Sequence, residues 1–452
     1  MNQEGTGIHG GTGASSPGGE LRRALERLER LVDWERRDRR GARLELAQVR
    51  DLLGRLGQPQ ERFRAVHVGG TKGKGSVASL VAAALERAGA RVGCYTSPHV
   101  ERVHERIRVA GRELDDPALA EALEAALAAR AAALEVRTPG ADATWFDVVT
   151  AAAFHAFARA QVDWAVVEVG LGGRLDSTNV LSPEVCAITG VDLEHTDVLG
   201  DSLEAIAREK AGILKPGVDF VCGAELEGRQ GPAGRVLAEV AGALGIAIRR
   251  PDPASRGKLS ARNRALAHAI LDALGERGLA GPGGAPARDW LDPETERRAA
   301  LPGRLERLEL GGVPVVLDGA HVASSVSLVL DELGGTGLPG PPVVVLALAR
   351  DKDARAVLKA LEGRVDRVLS TTLDGGRHVP AADLARLAGQ VGIRAVAVPR
   401  PEEALQLAVR RAQGGRWALA TGSLYLAGAL RPALRAATRP TAPCPPSSRT
   451  CS

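Results

Sequence analysis

One short run constrains the fold more than any other feature. The apolar segment Arg64–Val68 reads as a β-strand and passes directly into Gly69-Gly70-Thr71-Lys72-Gly73-Lys74-Gly75-Ser76. An Ala/Leu/Val-rich stretch, Val77–Ala88, then has the character of a helix. Strand, glycine loop and helix in that order form a phosphate site, because glycines let backbone N–H groups turn toward phosphate oxygens and the helix N-terminus adds partial positive charge. Lys74 is placed to reach a β- or γ-phosphate, and a hydroxyl just beyond it would ligate Mg²⁺. The spacing departs from the common G-x-x-x-x-G-K-[ST] pattern. Val68 stands at the first glycine and Gly75 directly after Lys74, so Ser76 must supply the metal oxygen. The competing reading is a glycine-rich turn without a ligand.

The pattern around this loop alternates strand and helix. Strands are expected at Asp163–Val169, Val185–Val191 and Asp219–Cys222, with helices between, which implies a mostly parallel sheet. A glycine- and proline-rich stretch at Gly275–Ala287 precedes a second series. Its expected strands are Val313–Leu317, Val343–Leu348, Val365–Ser370, Ala395–Val398 and Trp417–Ala420. The fold class is therefore α/β. A P-loop ATPase-like domain with a mostly parallel sheet spans residues 20–301, and a smaller Rossmann-like α/β domain spans 302–437, with the boundary near Pro302. Residues 1–19 and 438–452 have little to bury and are expected to be disordered tails.

Composition excludes several function classes. With 3% aromatics the chain lacks the rings on which single-stranded nucleic acid stacks. The formal charge of +4 belongs to the C-terminal end, where Arg431, Arg435, Arg439 and Arg449 occur without acids. Elsewhere the charges are mixed, so no nucleic-acid footprint is expected. Five scattered cysteines, none in C-x-x-C spacing, fit a reducing cytoplasm. Neither a secretory signal nor a membrane-spanning run is seen.

Further candidates sit at strand ends. Glu168 closes an apolar strand, where ligands bind in open α/β sheets, although a solvated strand-end acid would read the same way. His195 follows the next strand on the same rim, and with Ser76 the two make a candidate Mg²⁺ site. A helix capped by Asp201 or Ser202 carries Leu203, Ile206, Ala207 and Lys210 on one face. Lys210 either snorkels outward or is an amine whose lowered pKa lets it react with CO₂.

These runs together resemble the folylpolyglutamate synthase/dihydrofolate synthase group of the Mur ligase family. The matching segments are 70–76 (GTKGKGS), Thr96–His99 with Glu105–Ile107, 167–179 (VEVGLGGRLDSTN), 192–200 (DLEHTDVLG), 209–217 (EKAGILKPG), 301–305 (LPGRL), 317–321 (LDGAH), 351–353 (DKD) and 421–426 (TGSLYL). The resemblance covers nearly the whole folded chain. It implies an ATP-dependent ligase that joins L-glutamate to dihydropteroate or to the γ-carboxylate of a reduced folate through an acyl phosphate. Gly70, Thr71, Lys72, Gly73, Lys74, Gly75 and Ser76 would hold the ATP phosphates. Asn263 would lie near adenine, and Arg304, Asp318 and His321 would reach the nucleotide from the second domain. Ser76, Glu168, His195 and a carbamylated Lys210 would hold Mg²⁺ and a second divalent or monovalent cation. Lys74, Lys210 and His321 are the expected catalytic residues, and Asp147, Lys352 and Ser423 the expected substrate contacts. The partners implied are small molecules only, with no nucleic acid and no membrane, and the assembly a monomer.

Three departures stand out: Val322 where the group has asparagine after DGAH, Lys72 where its loop often has asparagine, and Asp147 where it carries glutamate. Two other readings remain at this stage. One is a related ligase for cell-wall muramyl peptides. The other is a non-ligating NTP-dependent switch.

Overall fold

The structure, a computed structural model, describes residues 17–33, 45–223, 231–252, 257–373 and 376–438. Two sheets organise it. The first has eight strands: β1 Arg64–Gly69, β2 Val92–Tyr95, β3 Ile107–Val109, β4 Arg112–Glu113, β5 Trp164–Glu168, β6 Val185–Ile188, β7 Asp219–Cys222 and β8 Ile248–Arg249. Their spatial order is β4-β3-β2-β5-β1-β6-β7-β8. All pairings are parallel except β2 with β3 and β3 with β4. The second sheet comprises β9 Glu306–Leu310, β10 Val313–Leu317, β11 Val343–Leu346, β12 Arg367–Ser370, β13 Ala395–Ala397 and β14 Ala418–Thr421, in the order β13-β12-β11-β14-β10-β9. Only β9 with β10 is antiparallel.

The strands expected from sequence are present, and five more join them: β2, β3, β4, β8 and β9. The tails also differ at their inner ends. Residues 17–19 begin the helix Pro17–Glu29, with Pro17 at a position that suits proline, and Thr438 ends the helix Leu424–Thr438. The rest of the expected tails, residues 1–16 and 439–452, lies outside the described residues. So does Trp34; Leu21, Leu25, Leu28 and Val32 at helical spacing point to a helix over Leu21–Trp34, and the helix found ends at Glu29. The stretch around Gly275 is less loose than its composition suggests. The helix Leu259–Glu276 runs through Gly275, and an Ala280–Pro286 bridge closes the loop behind it.

Packing accounts for the architecture. β1 lies between β5 and β6, buried from Ala65 onward, with Val66 opposite Val166 on one side and Val185 on the other. Strands covered on both faces need continuous aliphatic runs, and β1, β5 and β6 supply them. The helix Lys74–Arg87 covers one face through Val77, Val81 and Leu85. The helices Asp116–Glu135 and Trp145–Arg159 cover the other with Leu123, Val148, Phe154 and Phe157. In the second sheet Val315, Val345 and Leu369 pack against Leu405, Leu426 and Leu430. The C-terminal ends of β1, β5 and β6 thus meet at one rim, with Val68 opposite Glu168 and Gly69 opposite Ile188. That rim is where the site forms.

Among the described residues, no helix is long and apolar enough to cross a membrane. Cys94, Cys186 and Cys222 are buried and free.

Candidate active site

The glycine loop is shaped by contacts that leave no room for side chains. Gly70 has φ +131°, and a Cβ there would lie 2.1 Å from Thr189 Oγ1. Gly73 has φ +83°, caps the helix Lys74–Arg87, and would place a Cβ 2.2 Å from Asn263 Oδ1. A left-handed backbone pressed against a neighbour admits only glycine. The loop is tied to the end of β6 as well: Thr71 N–H donates to Gly190 O at 2.9 Å, and Thr189 Oγ1 donates to Lys72 O.

Glu168 meets the loop from β5. Its Oε2 accepts from Ser97 N at 2.9 Å and would lie 2.9 Å from a Cβ on Gly75. Burial raises its pKa, opposed by the nearby Lys74, Arg304 and Arg106 cations and by the Ser97 bond. Of the four expected cation ligands, Glu168, Ser76 and His195 line the same cavity. His195 has φ +50°, which turns the chain sharply into the short helix Thr196–Leu199.

Lys210 is placed differently. It is 2% exposed and does not line the cavity; its Nζ donates to Gly70 O and to Glu194 Oε1, each at 3.0 Å. Its amine therefore buttresses the phosphate loop from behind. Burial lowers its pKa, while Glu194 raises it. Burial alone would push Glu194 up, but Lys210, Lys74 and His195 overcome that and hold it near 2. Glu194 is the residue that sequence reasoning missed. Its signal was the lysine on the apolar face of Leu203–Ala211, since a buried ammonium needs a nearby anion.

A cavity of about 1220 Å³ joins this rim to the second sheet. It exceeds the roughly 300–1,000 Å³ of a pocket for one drug-sized ligand, so it has room for more than one reactant. Thr71 through Ser76 line one wall with Asn263; Arg304, Asp318 and His321 line the facing wall. Asp318 is fixed at the end of β10, where Oδ2 accepts from Leu305 N at 2.9 Å and Oδ1 from Ala320 N at 2.8 Å. Burial raises its pKa, against Arg304 and those two bonds. His321 Nδ1–H donates to Gly319 O at 2.9 Å, which leaves Nε2 as an acceptor. Burial, and then Lys72, push this imidazole down to about 3, so it stays neutral and is a weak base.

The expected substrate residues all reach the cavity. Lys352 pairs with Asp351 at 2.8 Å, and Ser423 is buried at the start of the last helix. Asp353, by contrast, is spent as the cap of Ala354–Leu361, accepting from Ala356 N. Asp147 also has a structural task. Its Oδ2 accepts from Thr144 N and Oγ1 at 2.8 and 2.7 Å as a capping box, and its Oδ1 from Ser177 Oγ at 2.6 Å.

Comparison with known proteins gives the family and the fold. The Mur ligase middle domain matches residues 68–219, and the Mur ligase glutamate ligase domain matches residues 303–424. A folylpolyglutamate synthase of Lacticaseibacillus casei is 32% identical over 411 residues, covering 85% of this chain and 92% of that one. A bifunctional folylpolyglutamate synthase/dihydropteroate synthase of Haloferax volcanii is 35% identical over 85% of this chain, which there spans 47% of the longer protein. The Mycobacterium tuberculosis folylpolyglutamate synthase complexed with ADP superposes with a TM-score of 0.79 at 28% identity, covering 93% of this chain and 99% of that one. A bifunctional folylpolyglutamate synthase/dihydrofolate synthase with Mn, AMPPNP and L-glutamate bound gives 0.76 at 29% identity, with coverages of 93% and 99%. With its glycine loop, its strand-end acids and its second sheet in these places, the chain belongs to the folylpolyglutamate synthase/dihydrofolate synthase group of the Mur ligase family.

Proposed function

We propose that the chain is an ATP-dependent ligase adding L-glutamate to dihydropteroate, to the γ-carboxylate of a reduced folate, or to both. The observation that carries this reading is a single cavity bounded by the phosphate loop on one side and by Arg304, Asp318 and His321 on the other. A carboxylate is a poor electrophile because its oxygen leaves badly. Passing the γ-phosphoryl group of ATP to it makes an acyl phosphate and ADP; the neutral α-amine of glutamate then attacks the acyl carbon, phosphate leaves, and the amine's proton goes to the departing phosphate or to water. Lys74 and the loop amides hold the phosphates and spread the charge of the transferred group, chiefly by position and electrostatics. Arg304, carried by the second sheet, adds a cation from the opposite wall. Neutral His321 orients through Nε2 rather than taking the amine's proton. Lys352 and Ser423 receive glutamate, and Asn263, against Gly73, borders the nucleotide. Two walls around one cavity also exclude the water that would hydrolyse the intermediate.

The residues present suit a divalent cation. Mg²⁺ uses one or two carboxylates together with substrate phosphates, and the buried Glu168 carboxylate stands at Gly75, with Ser76, the next residue, and His195 lining the same cavity. When bound, the cation would neutralise phosphate charge. Among the described residues no group of three or more His, Cys, Asp or Glu forms a metal cluster by itself, in keeping with a cation shared with the nucleotide. We extend the proposal to carbamylation of Lys210, with one condition from the geometry. A carbamate would replace an ion pair with two anions, so a second cation must stand between Lys210 and Glu194. Intact mass should then show one added CO₂ on Lys210 in the cation-loaded protein. Its absence there overturns the carbamate and leaves the ligase reading standing.

The ligase reading is tested by offering ATP and glutamate with dihydropteroate, tetrahydrofolate or a muramyl nucleotide, and reading products by mass. Glutamylated pterin product is expected, with at least a hundredfold loss in Lys74→Ala, roughly the scale of removing a main transition-state charge contact. Amide formation at the parent rate in that variant would sink the assignment, and product from the muramyl nucleotide alone would favour the cell-wall ligase.

A further inference from the structure

Beneath the phosphate loop lies a polar chain that the mechanism above does not use. His67 sits in the middle of β1, fully buried, and its Nε2 lies 2.8 Å from Thr178 Oγ1. Thr178 is itself fully buried and bonds through Oγ1 to Asp176 Oδ1, which also accepts from Thr178 N at 3.0 Å. The other carboxylate oxygen of Asp176, Oδ2, accepts from Leu171 N at 2.8 Å. Asp176 thereby closes residues 170–176 into a ring, and that ring lines the cavity through Gly170, Leu171, Leu175 and Asp176, next to Phe146.

The direction of the chain follows from counting protons. Burial raises the Asp176 pKa, against hydrogen bonds from the Thr178 hydroxyl and from the backbone N–H groups of Leu171, Thr178 and Gly170; as the carboxylate those donors favour, Asp176 only accepts, so the single Thr178 hydroxyl proton goes to it. The Thr178 oxygen must then accept from His67, which makes His67 the Nε2–H tautomer. Its Nδ1 is buried without a hydrogen-bond partner, which suits the bare nitrogen of that tautomer better than a buried, unpaired N–H. Burial and the nearby Lys215 ammonium keep the ring neutral, pushing it down to about 3. Lys215 holds the far end of the same turn by donating to Asn179 O at 2.9 Å and to Leu181 O.

We infer that His67 is a positioning residue that sets the ring 170–176, the wall facing the carboxylic-acid substrate, against the phosphate loop carried by its own strand. The inference rests on the ligase reading and adds to it which side chain registers the acid-binding wall to the ATP-binding one. β1 and β5 are adjacent, with His67 opposite Val167. The loop leaving each strand therefore takes its position from the same rung, and the His67–Thr178 bond links them below the cavity floor. The occupant of that wall is a carboxylic acid with an extended apolar body, in keeping with Leu171, Leu175 and Phe146.

The test is a split between the two substrates. In His67→Phe the ring volume remains and the donor is lost, so KM for the pterin or folate acid should rise about tenfold, the usual scale for orphaning one buried hydrogen-bonding group. KM for ATP should stay within about twofold. His67→Gln, whose amide can still donate, should recover most of the loss. Thr178→Val, which also removes the bond to Asp176, should cost at least as much, and His67→Phe/Thr178→Val should be no worse than Thr178→Val alone. In the ¹⁵N spectrum of histidine-labelled enzyme, His67 should show an unprotonated Nδ1 that does not titrate through neutral pH. Equal rises in both KM values, additive losses in the double variant, or a protonated Nδ1 would each overturn the inference. Should His67→Phe not fold, Thr178→Val and the spectrum decide it. Absence of glutamylated product from the parent enzyme is a separate outcome, which rejects the ligase reading itself and leaves the tautomer measurement intact.

Discussion

Burial holds the Lys72 ammonium down to about 8, against the pull of Glu194; Lys74 and Arg304 add repulsion, and Asp318 resists it. This residue brings a second charge to a loop whose relatives often carry an amide there. The sign of its pH effect is fixed. Below about 8 the cation is present and attracts phosphate, and as pH rises through that value the charge and its contribution are lost. Affinity for a non-hydrolysable ATP analogue should fall by about tenfold between roughly pH 7 and 9 in the parent. Lys72→Arg stays charged and should flatten the profile in calorimetric titration. An unchanged slope in Lys72→Arg would show that another group sets it. Sequence told only part of this. The motif announced Lys72 and Lys74 as neighbours of phosphate, but Lys72 is depressed first by burial and then by Lys74 and Arg304, the last arriving from more than two hundred residues away. Glu194 was hidden for a related reason. In the run Asp192-Leu193-Glu194-His195 it reads as one more solvated acid, and only the buried Lys210, sixteen positions later, gives it a task.

At the scale of elements, the phosphate loop was fully legible because its chemistry is local: glycine conformations, a helix start and one lysine. Gly73 shows how tightly that local code is written. Alanine there must hold φ near +83° with its Cβ on Asn263 Oδ1, and the left-handed conformation alone costs about 1–2 kcal/mol. Gly73→Ala should weaken the ATP analogue at least tenfold by the same titration. Asn263→Ala in that background would relieve the clash but not the backbone cost, so recovery should be incomplete; full recovery would refute the conformational account. The strands missed from sequence had no such code. β2 contains Gly93, whose Cβ would strike the Phe157 ring at 2.6 Å, so packing rather than β-propensity chose the residue. β9 does alternate, with Arg307 and Glu309 the more exposed, but a five-residue amphipathic run rich in charge is easily taken for loop. Asp147 carries a structural task beside its expected contact with substrate. The spacing of Thr144 and Asp147 is a helix-start signature, and the acid closes the capping box of Trp145–Arg159 while lining the cavity.

For the molecule as a whole, polar contacts fasten the two sheets' halves to one another, and Val100 of the first half packs against the core of the second sheet. Ser324 Oγ donates to Asp192 Oδ2 at 2.7 Å, and Lys258 Nζ reaches Gly334 O at 2.8 Å. Arg431 joins Glu306, at 2.8 Å, to Glu101 of the first half. Polar fastenings of this kind suit parts that shift relative to one another during a catalytic cycle. ATP turnover should therefore be slow without both the acid and glutamate, and addition of the two together should raise phosphate release many-fold in a coupled assay. Rapid release from ATP alone would show that the walls do not cooperate. The hairpin of β9 and β10 also fixes where any such swing can pivot. Gly303 donates to Glu306 and accepts from Gly319, and Leu305 is clasped by Asp318, so the chain from Gly303 onward already travels with the later half. The axle must lie in the few residues between Arg298 and Gly303. Arg304, Asp318 and His321 therefore advance or retreat as one jaw, never singly.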